Sequence, residues 1–368
     1  MARHHDRASE SLAGASIRGA LAAASGAGVP GAPVPAADPL SDVLRQVKLT
    51  GALFFMVEAS IPWGVEVPRA RAFASVILPR AQHVISYHII LRGSGWITGP
   101  TERPVPFAAG DILVLPHEDR YAMLSAPEQR LELTEADSVA FFRAMAAGEL
   151  PFTVAEGGGG AGGARYVCGF LGCDARPFNP LLATLPRLIH VRRPEGAGSD
   201  LLDYLIELTL AEARARRAGS DCIRLALSEL MFVEVVRRYL DTLPEGGAGW
   251  LAGLRDPAIG RVLALLHARP ADPWSVETLA RTVGLSRSVL AERFAQLVGQ
   301  PPMQYLTLWR IQLAARKLVD GGAKVAAIGE DVGFASEAAF SRCFKRITGV
   351  SPTQWRRPDP ARAGPPAR

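Results

Sequence analysis

The chain has 368 residues, 48% of them hydrophobic and 21% charged, with 41 Lys and Arg against 36 Asp and Glu. That hydrophobic share supports folded cores and excludes wholesale disorder, and at ~150 residues per domain the length predicts two or three domains. No uninterrupted apolar run approaches the roughly 18–20 residues of a membrane helix; the best candidate, LLDYLIELTLAEA, is broken by Asp203 and Glu207.

The net charge of +5 is unevenly spread. Residues 256–357 hold 14 Lys and Arg against 8 Asp and Glu, a net of +6. That is the sign expected of a surface that meets phosphates. The four cysteines, Cys168, Cys173, Cys222 and Cys343, are too few for a disulfide framework in a chain of this size. No stretch of signal-peptide strength follows the basic N-terminus, so a reducing cytoplasm is the expected compartment, with no membrane partner.

Taken in chain order, residues 1–37 are small and Gly/Pro-rich and read as a disordered tail. Residues 39–155 read mostly as strands. ALFFMVEASIPWGVEV, FASVILP, HVISYHIILRGSGWIT and DILVLP are short runs rich in β-branched and aromatic residues, punctuated by Gly and Pro. They predict a small barrel or sandwich. EGGGGAGGAR (156–165) reads as a flexible loop within or just after it. From Asp200 the period changes. DLLDYLIELTLAEARARRA is apolar at 201, 202, 205, 208 and 210, and SDCIRLALSELMFVEVVRRYL at 223, 227, 230, 231, 235 and 236. Both fit amphipathic helices, with Ser220 or Asp221 as the cap of the second. They form a connector over 200–243 that packs on the barrel, offers a dimerisation surface, or does both. PEGGAGW (244–250) reads as a linker, 256–357 as helical throughout, and 358–368 as a second disordered tail.

The helical segment contains an internal repeat. VGLSRSVLAERFAQLVGQPPMQY (283–305) and VGFASEAAFSRCFKRITGVSPTQW (332–355) align with one inserted residue. Ser286 matches Ser336, Leu290 matches Phe340, Phe294 matches Phe344, and Gly299 matches Gly349. Each copy reads as helix, tight Gly turn, helix. Gly284 and Gly333 suit the positive φ of the turn, and Ser286 and Ser336 stand at the N-caps. Residues 290, 294 and 297, and likewise 340, 344 and 347, form apolar faces. The opposite faces show Arg287, Ser288, Ala291 and Glu292 in the first copy, and Glu337, Ala338, Ser341, Arg342 and Lys345 in the second. These are the candidate DNA-contacting residues. Between the copies, MQYLTLWRIQLAARKLVD is long enough for a rigid helix of ~27 Å. Such a spacer suits two recognition helices in successive major grooves about 34 Å apart.

Residues 256–357, with RIQLAARKL and IGEDVGFASEAAFSRCFKRITGVSPTQWRR, resemble the DNA-binding domain of the AraC/XylS family of bacterial transcription regulators. The resemblance implies that the outward positions contact bases and phosphates of double-stranded DNA, with RNA polymerase as a further partner. Glu292 departs toward acidity: it would repel phosphate but could accept from cytosine N4. Residues 38–199, with DPLSDVLRQVKLTGALFF, YHIILRGSGWI, PFAAGDILVLPHED and CGFLGCDARPFNPLLATLPRLIHV, resemble the cupin-like sensor domains fused to such regulators. The implied fold is an α+β multidomain chain: an N-terminal cupin-like β-barrel, a helical connector and a C-terminal all-α double helix-turn-helix.

His88, Trp96, His117 and Tyr121 are the pocket candidates for a small-molecule effector. A cupin metal site asks for His-x-His followed by Glu. SYHII supplies one His, and Tyr121 stands about where a later His belongs, so the set is incomplete and neither metal nor cofactor is expected. A metal-dependent cupin enzyme with an accessory DNA-binding domain is the alternative reading. Cys168 and Cys173, spaced Cys-x4-Cys, are either two buried thiols or a redox-responsive pair.

Overall fold

In a computed structural model of the chain, the described residues are 38–131, 134–174, 176–193, 200–215, 217–243 and 249–357. Both expected tails and residues 244–248 of the expected linker lie outside them. Asp38 starts the first element: its side chain accepts from the Ser41 amide at 3.1 Å, Pro39 takes the first helical position, and α1 (Pro39–Gln46) follows.

Ten strands then build two sheets. β1 (Lys48–Ser60), β3 (His83–Arg92), β6 (Ile112–Leu115), β8 (Thr153–Gly157), β9 (Gly163–Asp174) and β10 (Ile189–Val191) form a six-stranded sheet in the order β10-β6-β3-β9-β1-β8. β2 (Gly64–Val67), β4 (Ser94–Thr98), β5 (Val105–Ala108) and β7 (Tyr121–Leu124) form a four-stranded one in the order β2-β7-β4-β5. The six-stranded sheet is covered on both faces, which explains why β3 is almost continuously buried rather than alternating. On β3, Ile85, Tyr87 and Ile89 pack outward while Val84 and Ile90 pack into the space between the sheets. β9 divides likewise, with Val167, Leu171 and Cys173 on one side and Tyr166, Cys168 and Phe170 on the other.

Three segments differ from the sequence expectation. FASVILP is not a strand: a 3-10 turn (Ala70–Ala72) leads into α2 (Ala74–Ile77). Phe73, fully buried, stacks on Phe142 at 4.4 Å and meets Phe170 edge-on at 5.3 Å; this packing overrides the β-propensity of the run. TEADSVAFFRAMA, inside the region read as strands, is the helix α3 (Glu135–Ala146), opened by a capping box between Thr134 and Asp137. The Gly-rich stretch is the close crossing from β8 to β9 around the end of β1. A Cβ at Gly157 would stand 1.9 Å from the Ser60 carbonyl oxygen, and one at Gly163 1.8 Å from that of Ala59. Glycine is required there by contact.

α4 (Pro180–Thr184) precedes β10, and α5 (Leu201–Ala215) and α6 (Ser220–Thr242) lie over the outer face of the large sheet. Gly219, not Ser220 or Asp221, is the N-cap of α6; the Ser220 hydroxyl instead donates to Glu212 at 2.5 Å, tying α6 back to α5. Trp250, placed in the linker by the sequence, opens α7 (Trp250–Arg255) and is fully buried.

The remaining helices are α8 (Pro257–Ala268), α9 (Val276–Val283), α10 (Arg287–Val298), α11 (Pro302–Asp320), α12 (Val325–Asp331), α13 (Glu337–Thr348) and α14 (Pro352–Arg356). One apolar core runs from α1 and the outer face of the large sheet through α5 and α6 to Leu290 and Phe294 of the first helix-turn-helix and Trp309 of α11. The second helix-turn-helix has a smaller core of its own around Ile311, Leu318, Ile328, Phe340 and Phe344.

Candidate nucleic-acid interface and effector cavity

The two repeat copies are built alike. Gly284 ends α9 at φ 72° and Gly333 follows α12 at φ 93°. The Ser286 and Ser336 side chains accept the amides of Val289 and Ala339, at 3.3 and 3.2 Å, fixing the starts of α10 and α13. Leu290, Phe294, Phe340 and Phe344 are fully buried, with Leu297 and Ile347 partly so. The opposite faces are open: Arg287, Ser288 and Glu292, and Glu337, Ala338, Arg342 and Lys345, are exposed, while Ala291 and Ser341 are half-buried.

The two faces differ in charge. Arg287 pairs with Glu277 at 2.7 Å. Arg293 donates twice to Asp256, the N-cap of α8, at 2.9 and 2.5 Å, and so fixes α10 on α8. On α13, Arg342 and Lys345 have no carboxylate partner among the described residues. On α10 both arginines are taken up by carboxylates of neighbouring helices, whereas on α13 Arg342 and Lys345 are open to an external anion.

Arg310, on α11, holds the copies together and was not singled out from sequence. Its guanidinium donates to the Pro270 and Asp272 carbonyls at 2.6 and 2.8 Å. The Gly333 turn lies against this loop, so that a Cβ at Gly333 would stand 2.7 Å from the Ala271 Cα. α11 spans 19 residues, about 28 Å at 1.5 Å per residue.

A cavity of about 130 Å³ opens between the barrel interior and α3. Phe55, Val57, Phe141, Phe142, Val154, Tyr166 and Cys168 line it, with His88 and Glu156. His88 is 1% exposed, and its Nε2 lies 2.7 Å from the Tyr121 hydroxyl. Burial pushes the imidazole pKa down to about 3, so the ring is neutral at physiological pH. The His88 Nδ1 and the Tyr166 hydroxyl are buried without a hydrogen-bond partner.

Of the four pocket residues expected from sequence, His88 lines the cavity and Tyr121 stands behind it. Trp96 and His117 do not line it. Trp96 is half-buried beside the inward, fully buried Ile97, so alternation turns it away from the interior. His117 donates from Nε2 to the Leu185 carbonyl at 2.6 Å. Glu156 and Tyr166 follow the strands that predict the pocket, and α3 lies among residues whose composition reads as strand. The capping box of α3 was the available signal.

Cys168 and Cys173 lie five residues apart on β9, roughly 16 Å at 3.3 Å per residue, and face opposite cores. A disulfide needs Cα atoms within about 7 Å, so the strand keeps them from bridging. Burial raises both thiol pKa values, that of Cys173 to about 12, which disfavours the reactive thiolate. The carboxylates beside the barrel histidines are engaged: Asp111 with His190 at 2.8 Å, and Glu118 with the Val84 amide at 2.8 Å. Among the described residues no group of three or more His, Cys, Asp or Glu is placed to hold a metal ion, and no helix is long and apolar enough to cross a membrane.

A cavity-bearing barrel packed on two helix-turn-helix units is the architecture of a DNA-binding regulator. Comparison with known proteins agrees: the cupin family model matches residues 38–241 and a helix-turn-helix domain model matches 279–358. An AraC-like transcription regulator of Streptomyces lividans is 32% identical over 325 residues, covering 87% of this chain and 98% of that protein. The HTH-type transcriptional regulator AlkR of Acinetobacter baylyi is 28% identical over 321 residues, covering 87% and 99%. Among solved structures, the DNA-binding domain of the global transcriptional factor AdpA in complex with a target DNA is 33% identical. It covers 27% of this chain and 90% of its own, with a TM-score of 0.27. The chain belongs to the AraC-like transcription regulators. It is a DNA-binding transcription regulator rather than an enzyme.

Proposed function

We propose that α10 and α13 are paired recognition helices reading adjacent major-groove segments of one operator, and that the barrel cavity takes a small effector which biases their presentation. The observation that carries the first part is the pair of open helix faces on fully buried aromatic bases, joined by α11 and clamped by Arg310. Arg287, Ser288, Ala291 and Glu292 would meet one segment; Glu337, Ala338, Ser341, Arg342 and Lys345 the other. The unpaired Arg342 and Lys345 make α13 the larger source of affinity. Direct base reading by Arg342 predicts that Arg342→Ala weakens specific binding by about 1–3 kcal/mol and relaxes the preference at one position. Unchanged affinity and preference in titrations against the operator would overturn that assignment.

The effector reading rests on a largely apolar cavity with unsatisfied polar atoms, features typical of small-molecule sites. The buried, unbridged Cys168 and Cys173 favour it over a redox pair. The cavity and the core that reaches the first helix-turn-helix lie on opposite faces of the large sheet, so occupancy would act on the DNA-binding helices through β3 and β9, which line both. Two further partners belong to this reading. A second copy of the chain would dock on the exposed apolar face of α5 and α6, where Leu201, Tyr204, Leu208, Ile223 and Leu230 are 46–57% exposed. RNA polymerase would meet the DNA-bound protein in the cytoplasm.

A further inference from the structure

We infer that the ligand of the barrel cavity is a cation: a small organic amine of about ten heavy atoms with an aromatic or branched aliphatic body. This rests on the reading of the cavity as the effector site and adds the chemical class. Size comes from the volume: a water molecule needs roughly 10–15 Å³ of such space, so about 130 Å³ holds on the order of ten heavy atoms.

Charge comes from the lining, which includes Glu66, Asp137 and Glu156 but no Lys or Arg. Two of these acids already have work. Glu66 pairs with Arg120 at 2.7 Å, and Asp137 caps α3 through Thr134. Glu156 has no cationic partner among the described residues. The register places it across β1 from Ala164, two residues from Tyr166 and on the same side, and its charge acts on the Tyr166 hydroxyl. An anionic ligand would enter an acidic, largely apolar cavity with no Lys or Arg in its lining as counter-ion, at a desolvation cost. An ammonium group would meet the Glu156 carboxylate and the negative faces of Phe55, Phe141 and Phe142.

The unsatisfied atoms fit the same ligand. With the His88 Nε2 proton donated to the Tyr121 hydroxyl at 2.7 Å, His88 Nδ1 is left as a bare acceptor. His88 and Tyr166 both line the cavity, their rings 6.1 Å apart, and each carries a buried atom without a partner that an amine N–H group could use. Glu156, itself half-buried, is held above the usual carboxylate range by desolvation, a cost that a bound ammonium would offset.

The test uses three probes of near-equal shape: 2-phenylethylamine, 2-phenylethanol and phenylacetate. Each is titrated calorimetrically into the full-length protein. The expected result is that the amine binds at least tenfold more tightly than the other two. Glu156→Gln should remove that advantage and leave the alcohol unchanged, and Val154→Phe, which fills the cavity, should abolish binding of all three. If the alcohol or the anion binds as well as the amine, and Val154→Phe abolishes it, the amine class is overturned while the cavity stands as the effector site. If no probe binds, and Val154→Phe leaves operator regulation unaltered in cells, both the class and the site are overturned.

Discussion

His88 stays neutral because burial holds its pKa near 3, against about 6.5 in an unfolded chain. As pH falls from 6.5 toward 3, the unfolded chain takes up a proton that the folded protein refuses. Stability is therefore full above pH 6.5 and drops by about 1.4 kcal/mol per unit within that window. Between pH 7.5 and 5.0 the His88 contribution is ~2 kcal/mol. His267, whose pKa burial also lowers, adds loss of the same sign. Urea denaturation at the two pH values should show His88→Gln losing about 2 kcal/mol less than the natural protein; equal losses would contradict the buried neutral state. Lys345 makes a separate residue-scale prediction. If it meets phosphate, Lys345→Ala weakens binding to all sequences alike and lowers the slope of log affinity against log salt by about 1. A loss confined to the operator would instead make it a base reader. His88 was legible as a residue facing the barrel interior; Tyr121, expected beside it, does not line the cavity but holds His88 from behind. Glu156 and Tyr166 were not legible, because they reach the cavity only through the fold-back of β8 and β9 on either side of β1.

The two turn glycines separate backbone strain from contact. Gly284 has a positive φ but open space where a Cβ would stand, so Gly284→Ala should cost only the left-handed penalty of about 1–2 kcal/mol. Gly333 has the same kind of φ and also abuts the Ala271 backbone and the Arg310 guanidinium. Gly333→Ala should cost clearly more and should loosen the two units from each other. Denaturation midpoints for the two variants decide this; equal costs would mean that the second turn tolerates the contact. The repeat made both glycines, both Ser caps and the buried 290/294 and 340/344 positions legible, since each follows from local turn, cap and helix period. Arg310 was not legible: its partners, Pro270 and Asp272, are about forty residues away in sequence. α2 and α3 were misread for different reasons. Burial of Phe73 dictates α2, whereas the Thr134–Asp137 capping box already signalled α3.

On the scale of the molecule, the barrel and the first helix-turn-helix share a core, while the second keeps its own. α1 packs against α8: His267 stacks on Trp309 at 4.1 Å, receives or donates at the Tyr305 hydroxyl at 2.7 Å, and faces Asp42 at 3.5 Å. The connector period predicted two amphipathic helices, but only part of each apolar stripe is buried: Leu202, Leu205, Met231 and Val235 are, whereas Leu208 and Leu230 are exposed. Sedimentation should therefore show a dimer at micromolar concentration, and Leu208→Glu should shift it to monomer; a monomeric natural protein would remove the proposed interface. The central claim is that one chain reads two adjacent groove segments. It is tested most directly by selecting binding sites from random genomic fragments with full-length protein at ~150 mM salt, where weak phosphate contacts fade. The account predicts a shared motif of two sequence blocks one helical turn, about 10 base pairs, apart. Salt-sensitive binding with no shared motif, at every effector condition tried, would contradict it.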